Sequence, residues 1–392
     1  MSSDRPSLAE HAAASPDPHD GARGRRTLGK LAELLDRQGI PVEEIGRVQR
    51  INAWQGFYKD DDGEAQTVDM VGIKLTPNWV DGPEWPVVRP GPRVTVRTPK
   101  WVRPDRDHLI AVELPDIQAG FWRDVDGVLH PTHDDRAVDL ALIHVAMLKP
   151  DVVIVGGDGA DFPEFGKYRL TPVFRETTQA TVDWLTVFAA RLRVAAGPEA
   201  TIVWLPGNHE ERLPNYILDN ASAAFRLRRG NAPKSWPVLT VPHLCDFDNQ
   251  GIQWIPGYPA NEFWVNDRLR IVHGSKVRSN GSTAHVYLNE ERVSTIFNHV
   301  HRREWAEKTR HTRYGPRTIL AASAGCLCRI DGSVPSTKGG KDEDGQPIPV
   351  TEDWQQGIAV IGYQPGDSPF GLELVPFHDG AAWFRGQRLE AP

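Results

Sequence analysis

The chain has 392 residues, of which 40% are hydrophobic, and its formal net charge is −7. This length fits one large domain with additions or two domains, and the apolar content is ordinary for a soluble globular protein. The acidic balance excludes an overall basic footprint for nucleic acid but not a local basic groove, and no apolar run approaches the roughly 20 residues that span a bilayer.

The N-terminal residues 1–26 are rich in Ser, Ala, Pro, Asp and Arg and have no periodicity, which predicts a disordered tail without the apolar segment of a secretory signal. The three cysteines, Cys245, Cys326 and Cys328, are too few for a disulfide framework, so we expect a cytoplasmic protein. Cys326 and Cys328 alternate within an apolar run and are interpreted as buried small residues rather than metal ligands.

Residues 27–106 are predicted to form an accessory region that begins with helices. Thr27 can cap a helix that ends at Gly39, because the leucines that follow Thr27 fall on one helical face. A second short helix over residues 41–45 would complete a helix-turn-helix, but a helical lead-in that packs on the next hairpin is the favoured interpretation.

The rest of the accessory region is predicted to be a hairpin and a linker. Residues 47–58 and 66–75 have strand patterns and flank the acidic turn 60–63, which is interpreted as a solvated hairpin tip. Residues 76–106 are dense in Pro, Trp and Arg, which is typical of an irregular connector at a domain boundary.

Residues 107–390 alternate between strand and helix patterns, which predicts one large α/β domain. Predicted strands cover residues 108–114, 151–155, 201–205, 238–241, 252–255, 269–272, 293–297, 318–322, 357–363 and 372–375. Predicted helices cover residues 134–148, 171–196 and 213–228, and the polar segment 331–352 is predicted to be a mobile loop. Strands separated by helices of this length imply right-handed crossovers and parallel strands.

Five polar clusters each follow one of these apolar runs. They are Asp116-Ile117-Gln118, Gly157-Asp158 with Asp161, Gly207-Asn208-His209-Glu210, His273-Gly274, and Asn298-His299-Val300-His301. In open α/β sheets, ligands bind just beyond the carboxyl ends of the strands. The five clusters are therefore expected to converge on one site.

The residue types in these clusters point to metal chemistry. Aspartate and amide oxygens together with imidazole nitrogens, without thiolate, suit Mn, Fe, Zn or Mg. The candidate ligands are too many for one ion and about enough for two that share a carboxylate. Two ions roughly 3.5–4 Å apart can clamp the attacking and leaving oxygens of a phosphoryl transfer, and a water between them becomes a nucleophile near neutral pH.

The ordered series of clusters from Asp116 to His301 resembles the calcineurin-like metallophosphoesterase superfamily, and the stretch through Trp354 to Gly357 resembles the tail of phage-encoded members. The resemblance implies a four-layer α-β-β-α sandwich of two mixed sheets, a two-metal phosphoester hydrolase and, for a phage protein, location in the host cytoplasm. It assigns Asp116, Gln118 and His301 to the first ion and Asn208, His273 and His299 to the second. Asp158 would bridge the two ions.

The resemblance also assigns catalytic roles. His209 would face the scissile phosphate as a general acid or stabiliser, and Asp161 would orient it. Two positions depart from the family pattern, since Gln118 stands where His is usual and Asn298 where Gly is usual. An amide oxygen binds transition metals more weakly than imidazole, which would make the first ion labile or favour Mn or Mg.

The substrate is left open between several classes. A basic run follows His301 and could receive a phosphate backbone, with Arg212 holding a phosphate oxygen; the residues implied in nucleic-acid contact are Arg302, Arg303, Arg310 and Arg313. A nuclease or phosphodiesterase is one alternative, and a phosphatase acting on phosphoprotein or nucleotide is another. A DNA-binding or assembly protein with a structural or inactive metal site is a third, and no membrane partner is expected.

Overall fold

The computed structural model describes residues 45–59, 64–77, 104–167, 172–232, 234–335 and 350–392, together with Arg37, Val102, Asp342, Glu343 and Ile348. The chain divides into two compact units, residues 1–93 and 94–392. Each unit is described by itself.

The first unit contains an antiparallel hairpin of β1 (Ile45–Lys59) and β2 (Ala65–Pro77), which is the predicted hairpin with slightly longer strands. Ile45 opens β1, so the predicted second helix does not extend to that residue. The N-terminal tail, the turn 60–63 and the predicted first helix lie outside the described residues, except for Arg37, which is helical.

The second unit is mixed α/β, as predicted, and its largest sheet has six strands in the order β15-β14-β3-β6-β7-β8. Strands β3, β6, β7 and β8 run parallel, while β14 and β15 are antiparallel to their neighbours. The strands are β3 (Leu109–Leu114), β6 (Val152–Val155), β7 (Thr201–Trp204), β8 (Ile252–Trp254), β14 (Gln356–Tyr363) and β15 (Phe370–Phe377).

The second sheet has five strands in the order β12-β13-β11-β10-β9. Strand β11 runs parallel to both of its neighbours, whereas the two edge pairs are antiparallel. The strands are β9 (Glu262–Asn266), β10 (Leu269–Val272), β11 (Ser294–Phe297), β12 (Arg303–Thr312) and β13 (Gly315–Ala324). Two small hairpins complete the strands, β4 (Phe121–Arg123) with β5 (Leu129–Pro131) and β16 (Ala381–Phe384) with β17 (Gln387–Glu390).

The helices are α1 (Asp135–Leu148), α2 (Thr178–Ala196), α3 (Arg212–Asn220), α4 (Val241–Leu244), α5 (Phe247–Gln250) and α6 (Thr283–Glu290). Helix α1 begins where predicted because the Asp134 side chain accepts hydrogen bonds from the first-turn N–H groups of Arg136 and Ala137. Helix α2 begins later than predicted, because Pro172 opens a separate 3-10 turn.

Buried apolar clusters join these elements. One cluster contains residues of both large sheets, such as Ile154 of β6 and Ile271 of β10. A larger cluster joins α1 and α2 to the six-stranded sheet, and a third joins α6 to the five-stranded sheet. The two sheets therefore share one apolar core, and each has helices packed in a further core.

One predicted strand is wrong, and several strands were missed, namely β9, β12 and the strands of both small hairpins. Residues 238–241 do not form a strand, because Pro242 cannot donate to a ladder and instead occupies the first turn of α4. The charged residues after His301 form the long hairpin of β12 and β13. In β12, exposed and buried positions alternate over only part of the strand, and charged residues occupy many of its positions. The alternation of apolar and polar residues that identifies a strand is therefore weak in its sequence.

Candidate metal centre

All five polar clusters lie beyond the carboxyl ends of strands that occupy neighbouring positions in the two sheets, which are β3, β6, β7, β10 and β11. The structure brings together all seven side chains expected to bind metal. They form two contacting groups, which we call the first group (Asp116, Gln118 and His301) and the second group (Asp158, Asn208, His273 and His299).

The first group is buried and closely spaced. His301 Nε2 lies 3.2 Å from Asp116 Oδ1 and 3.1 Å from Gln118 Nε2. No described residue donates a hydrogen bond to Gln118 Oε1, although that oxygen is buried. Rotation of the amide would turn this oxygen towards His301, so the group can present a carboxylate, an amide oxygen and an imidazole nitrogen to one cation.

In the second group, the hydrogen bond made by His273 Nδ1 determines which ring nitrogen can face a cation. His273 Nδ1 donates to the carbonyl oxygen of Gly156 at 3.1 Å, so in the neutral ring Nε2 carries the lone pair. Nε2 lies 3.2 Å from both Asp158 Oδ2 and Asn208 Oδ1. Among the described residues, nothing donates to Asp158 Oδ2 with normal hydrogen-bond geometry. When His273 Nε2 gives up its proton, three electron-pair donors face one another, which is the arrangement that a cation stabilises.

The two groups meet through Asp116 and His299. The backbone N–H of His299 lies 3.2 Å from Asp116 Oδ1 and 3.1 Å from Oδ2. The potential ligand atoms of Asp158, His273 and His299 all lie within 4.8 Å of one another. The Asp116 carboxylate of the first group is therefore held against His299 of the second group.

Burial and mutual charge set the protonation of this centre. Burial and repulsion from His273 lower the pKa of His299 to about 4, which keeps that imidazole neutral at pH 7. Burial also acts to lower the pKa of His273, but the negative charge of Asp158 outweighs it and raises the pKa to about 9. Burial opposes ionisation of Asp158, yet His209 and His273 hold the pKa of its carboxyl well below the usual range.

Five of the seven side chains project from backbone in the left-handed region. The φ angles are 27° at Asp116, 47° at Gln118, 48° at Asp158, 74° at His299 and 55° at His301. Non-glycine residues avoid this region, and such conformations concentrate at functional sites where the surrounding structure holds them. The chain turns sharply after these strands, and the turns bring the candidate ligands of different loops together.

Glu210, which sequence reasoning assigned no role, ties two ligand-bearing loops together. Its buried carboxylate accepts hydrogen bonds from the backbone N–H groups of Asp158, Gly159, Ala160 and Gly207 and from the Trp204 indole, at the distances 3.1, 2.7, 3.2, 2.8 and 3.3 Å. The loops after β6 and β7 therefore share one anchor. The only signal in the sequence was an acidic residue directly after Asn208 and His209.

Gly207 belongs to the same anchor. A Cβ atom at this position would lie 2.1 Å from Asp158 Oδ1, which is far inside van der Waals contact. Only glycine lets the loop after β7 approach the Asp158 side chain this closely.

His209 lies beside the second group and has the predicted partner. Its Nδ1 is 2.7 Å from Asp161 Oδ1, and its Nε2 is 3.7 Å from Asp158 Oδ2. Arg212, which was expected to hold a phosphate oxygen, lies against His209. Its guanidinium lies 2.8 Å from His209 Nε2 and bonds the carbonyl oxygen of Asp161 at 2.7 Å, so the three side chains form one unit.

Cys326 and Cys328 are fully buried, as predicted. They are not isolated core residues, because Cys328 Sγ lies 3.9 Å from His301 Nδ1, on the far side of the ring from Asp116. Two buried clusters of side chains could accordingly hold a metal ion, one formed by Asp158, His273 and His299 and the other by His301 and the two cysteines.

Two of the four arginines proposed for nucleic-acid contact, Arg302 and Arg310, are engaged by the chain itself. Arg302 donates to the Arg278 carbonyl oxygen at 2.5 Å and pairs with Glu304. Arg310 donates to the Leu288 carbonyl oxygen, and Arg303 is half-buried. Arg313 is exposed at the tip of the β12–β13 hairpin and stacks on Tyr314.

No family model matches the chain, and no curated protein matches it. Within the residues that the structure describes, no helix is both long and apolar enough to cross a membrane. The geometry of the centre is therefore the basis for a proposed function.

Proposed function

We propose that the chain is a metal-dependent phosphoester hydrolase of the calcineurin-like metallophosphoesterase type, which holds two divalent cations. The observation that carries the proposal is the second group, where His273 Nε2, Asn208 Oδ1 and Asp158 Oδ2 converge, so that a cation in place of the Nε2 proton would meet three electron-pair donors. Its contact with the first group through Asp116 and His299 places two ligand sets side by side, which suits a pair of cations rather than one.

The ligand sets follow from the two groups. The first cation would be held by Asp116, Gln118 and His301, the second by Asn208, His273 and His299, and Asp158 would contact both. Oxygen donors and neutral imidazoles suit manganese best, with Fe, Zn or Mg as alternatives. When bound, such cations lower the pKa of water and neutralise charge on phosphoryl oxygens.

The arrangement of layers supports the same proposal. The apolar core that the two large sheets share, with α1 and α2 packed on one sheet and α6 on the other, fits a four-layer α-β-β-α sandwich. In such a fold the loops beyond the parallel strands meet at one edge. The ligand-bearing loops follow strands of both sheets, so the centre would lie across that edge.

The chain's own residues would stabilise the transferring phosphoryl group. His209 Nδ1 donates a hydrogen bond to Asp161 Oδ1. This bond orients the ring so that Nε2 lies 3.7 Å from Asp158 Oδ2. The Arg212 guanidinium beside Nε2 adds a positive charge at the same place. The guanidinium and, once Nε2 is protonated and turned from Arg212 to substrate, the imidazolium can donate hydrogen bonds to phosphoryl oxygens, and the imidazolium can then pass its Nε2 proton to a leaving oxygen.

A metal-supplemented activity screen tests the proposal. The substrates are p-nitrophenyl phosphate, bis(p-nitrophenyl) phosphate, single-stranded and duplex DNA, RNA, nucleotides and a phosphopeptide, each with Mn²⁺, Mg²⁺, Fe²⁺ or Zn²⁺. Hydrolysis of a monoester alone would identify a phosphatase, and hydrolysis of a diester or nucleic acid would identify a phosphodiesterase or nuclease. Failure to turn over any substrate with any cation would reject the hydrolase.

Loss of the His209 imidazole should slow turnover more than loss of the charge that orients it. We expect His209→Asn to lower kcat on the order of 10²-fold or more, because its proton donor disappears. Asp161→Asn should lower kcat about 10-fold, since the ring remains but its orientation weakens. Steady-state kinetics at saturating Mn²⁺ measure both, and equal losses in the two variants would contradict this division of roles.

Cation binding should stabilise the folded chain, because the two groups exist only in the folded state. At a Mn²⁺ concentration 100 times the Kd, the free energy of unfolding should rise by about 2.7 kcal/mol for each cation bound. Thermal unfolding with Mn²⁺ and with EDTA measures this rise. The Asp158→Asn variant is the matched control and should gain much less; an equal gain would place the binding elsewhere.

A further inference from the structure

Among the described residues, His301 is the side chain shared by the first group and the cluster with Cys326 and Cys328. Its Nε2 lies 3.2 Å from Asp116 Oδ1, and its Nδ1 lies 3.9 Å from Cys328 Sγ. The Sγ atom of Cys326 completes a set in which one potential ligand atom from each residue lies within 4.8 Å of the other two. All three residues are buried, and Trp354 packs against the cysteines and the His301 ring.

The two sides of His301 suit different cations. On the Nε2 side the neighbouring donors are carboxylate and amide oxygens, which suit Mn²⁺ or Mg²⁺. On the Nδ1 side they are two thiols, which as thiolates bind softer cations such as Cd²⁺ or Zn²⁺. Zinc–sulfur bonds of about 2.3 Å and zinc–nitrogen bonds of about 2.0 Å fit between ligand atoms with this spacing after a small inward movement.

A neutral imidazole has only one nitrogen with a free electron pair. When Nε2 binds a cation, the ring proton is on Nδ1 and points towards Cys328 Sγ. When Nδ1 binds a cation, the proton is on Nε2, where Asp116 Oδ1 can accept it. The ring therefore cannot bind a cation through both nitrogens at once unless it loses its remaining N–H proton.

We propose that Cys326, Cys328 and His301 Nδ1 form a binding site for a soft divalent cation, and that its occupation removes His301 from the first group. Each cysteine releases its proton as its sulfur binds the cation. The thiol site stands on its own geometry, whereas the exclusion rests on the proposed function, in which His301 binds the first of two harder cations.

Cadmium binding to the full chain tests the thiol site. Cd²⁺ should bind with an ultraviolet thiolate-to-cadmium absorption band. The Cys326→Ala and Cys328→Ala variants should each bind Cd²⁺ at least 10-fold more weakly, and the double variant should lose the band. Cys245→Ala is the matched control, because Cys245 is equally buried but lies outside the cluster, and it should keep the band. Thermal unfolding verifies that each variant is folded.

The exclusion is tested on chain loaded with Mn²⁺. Adding one equivalent of Cd²⁺ should release Mn²⁺, measured as free Mn²⁺ by electron paramagnetic resonance, from the wild type and from Cys245→Ala but not from the double cysteine variant. A cadmium band without Mn²⁺ release would overturn the exclusion. Absence of the band, or its survival in the double variant, would overturn the thiol site. Absence of Mn²⁺ uptake would overturn the exclusion together with the proposed function and leave the thiol site standing.

Discussion

Asp158→Asn should abolish most phosphoester hydrolysis, with kcat/KM lower on the order of 10³-fold. The substitution keeps the shape of the side chain but replaces Oδ2, the buried oxygen that faces His273 Nε2 at 3.2 Å, or its partner oxygen, with an amide nitrogen. It also removes the negative charge that balances the neighbouring imidazoles. Kinetics with the best substrate of the screen, over a range of Mn²⁺ concentrations, measure the loss.

Glu113→Gln is the matched control for this variant. Glu113 is also a fully buried carboxyl near the centre, and burial together with the charge of Asp116 raises its pKa to about 8. It is therefore mostly protonated at pH 7, where glutamine is a neutral replacement of similar shape. We expect its activity within a few-fold of wild type, and an Asp158→Asn chain that remained as active as Glu113→Gln would contradict the shared-ligand role.

The largest effect on stability is expected for Glu210→Gln, which should lower the free energy of unfolding by about 3 kcal/mol or more. The Glu210 carboxylate accepts four backbone N–H bonds and one indole bond. Glutamine has one oxygen acceptor, and its NH₂ group would face N–H donors that have no water to replace the lost acceptor. Equilibrium denaturant unfolding measures the change.

The adjacent residue provides the control for this prediction. Glu211 is half-buried and lies outside the Glu210 bond network, so Glu211→Gln should change stability by about 0.5 kcal/mol or less. If the Glu210→Gln chain unfolded at the same denaturant concentration as the Glu211→Gln chain, the carboxylate would not be the anchor of the two loops.

The sequence was sufficient to predict that the candidate metal ligands lie close together beyond the strand ends. Asp116, Asp158 and His273 each follow an apolar strand within a few residues, and strand order in an α/β sheet brings such ends together. Most strands of the second unit were also predictable, because their β-branched runs are short and bounded by breakers. The strand proposed for residues 238–241 failed because Pro242 favoured a helical turn.

Contacts that depend on the path of a loop were not predictable. Glu210 receives N–H groups from residues about 50 positions earlier, and nothing in its own neighbourhood indicates that pairing. Arg212 was expected to contact phosphate, but its distance to His209 depends on the turn that opens α3. The thiols were correctly predicted to be buried, yet their contact with His301 follows only from the return of the chain after β13.

The left-handed backbone at five of the seven candidate ligands affects how cations would bind and dissociate. The conformations that bring these ligands together are each disfavoured by about 1–3 kcal/mol, and the packed strand ends and the Glu210 anchor offset that cost during folding. The centre is thus preorganised for cations, and we expect ion exchange to proceed without rearrangement of the main chain. Affinity would then be governed by the choice of donor atoms, so a ligand such as Gln118 can be exchanged to retune metal preference without redesigning the scaffold.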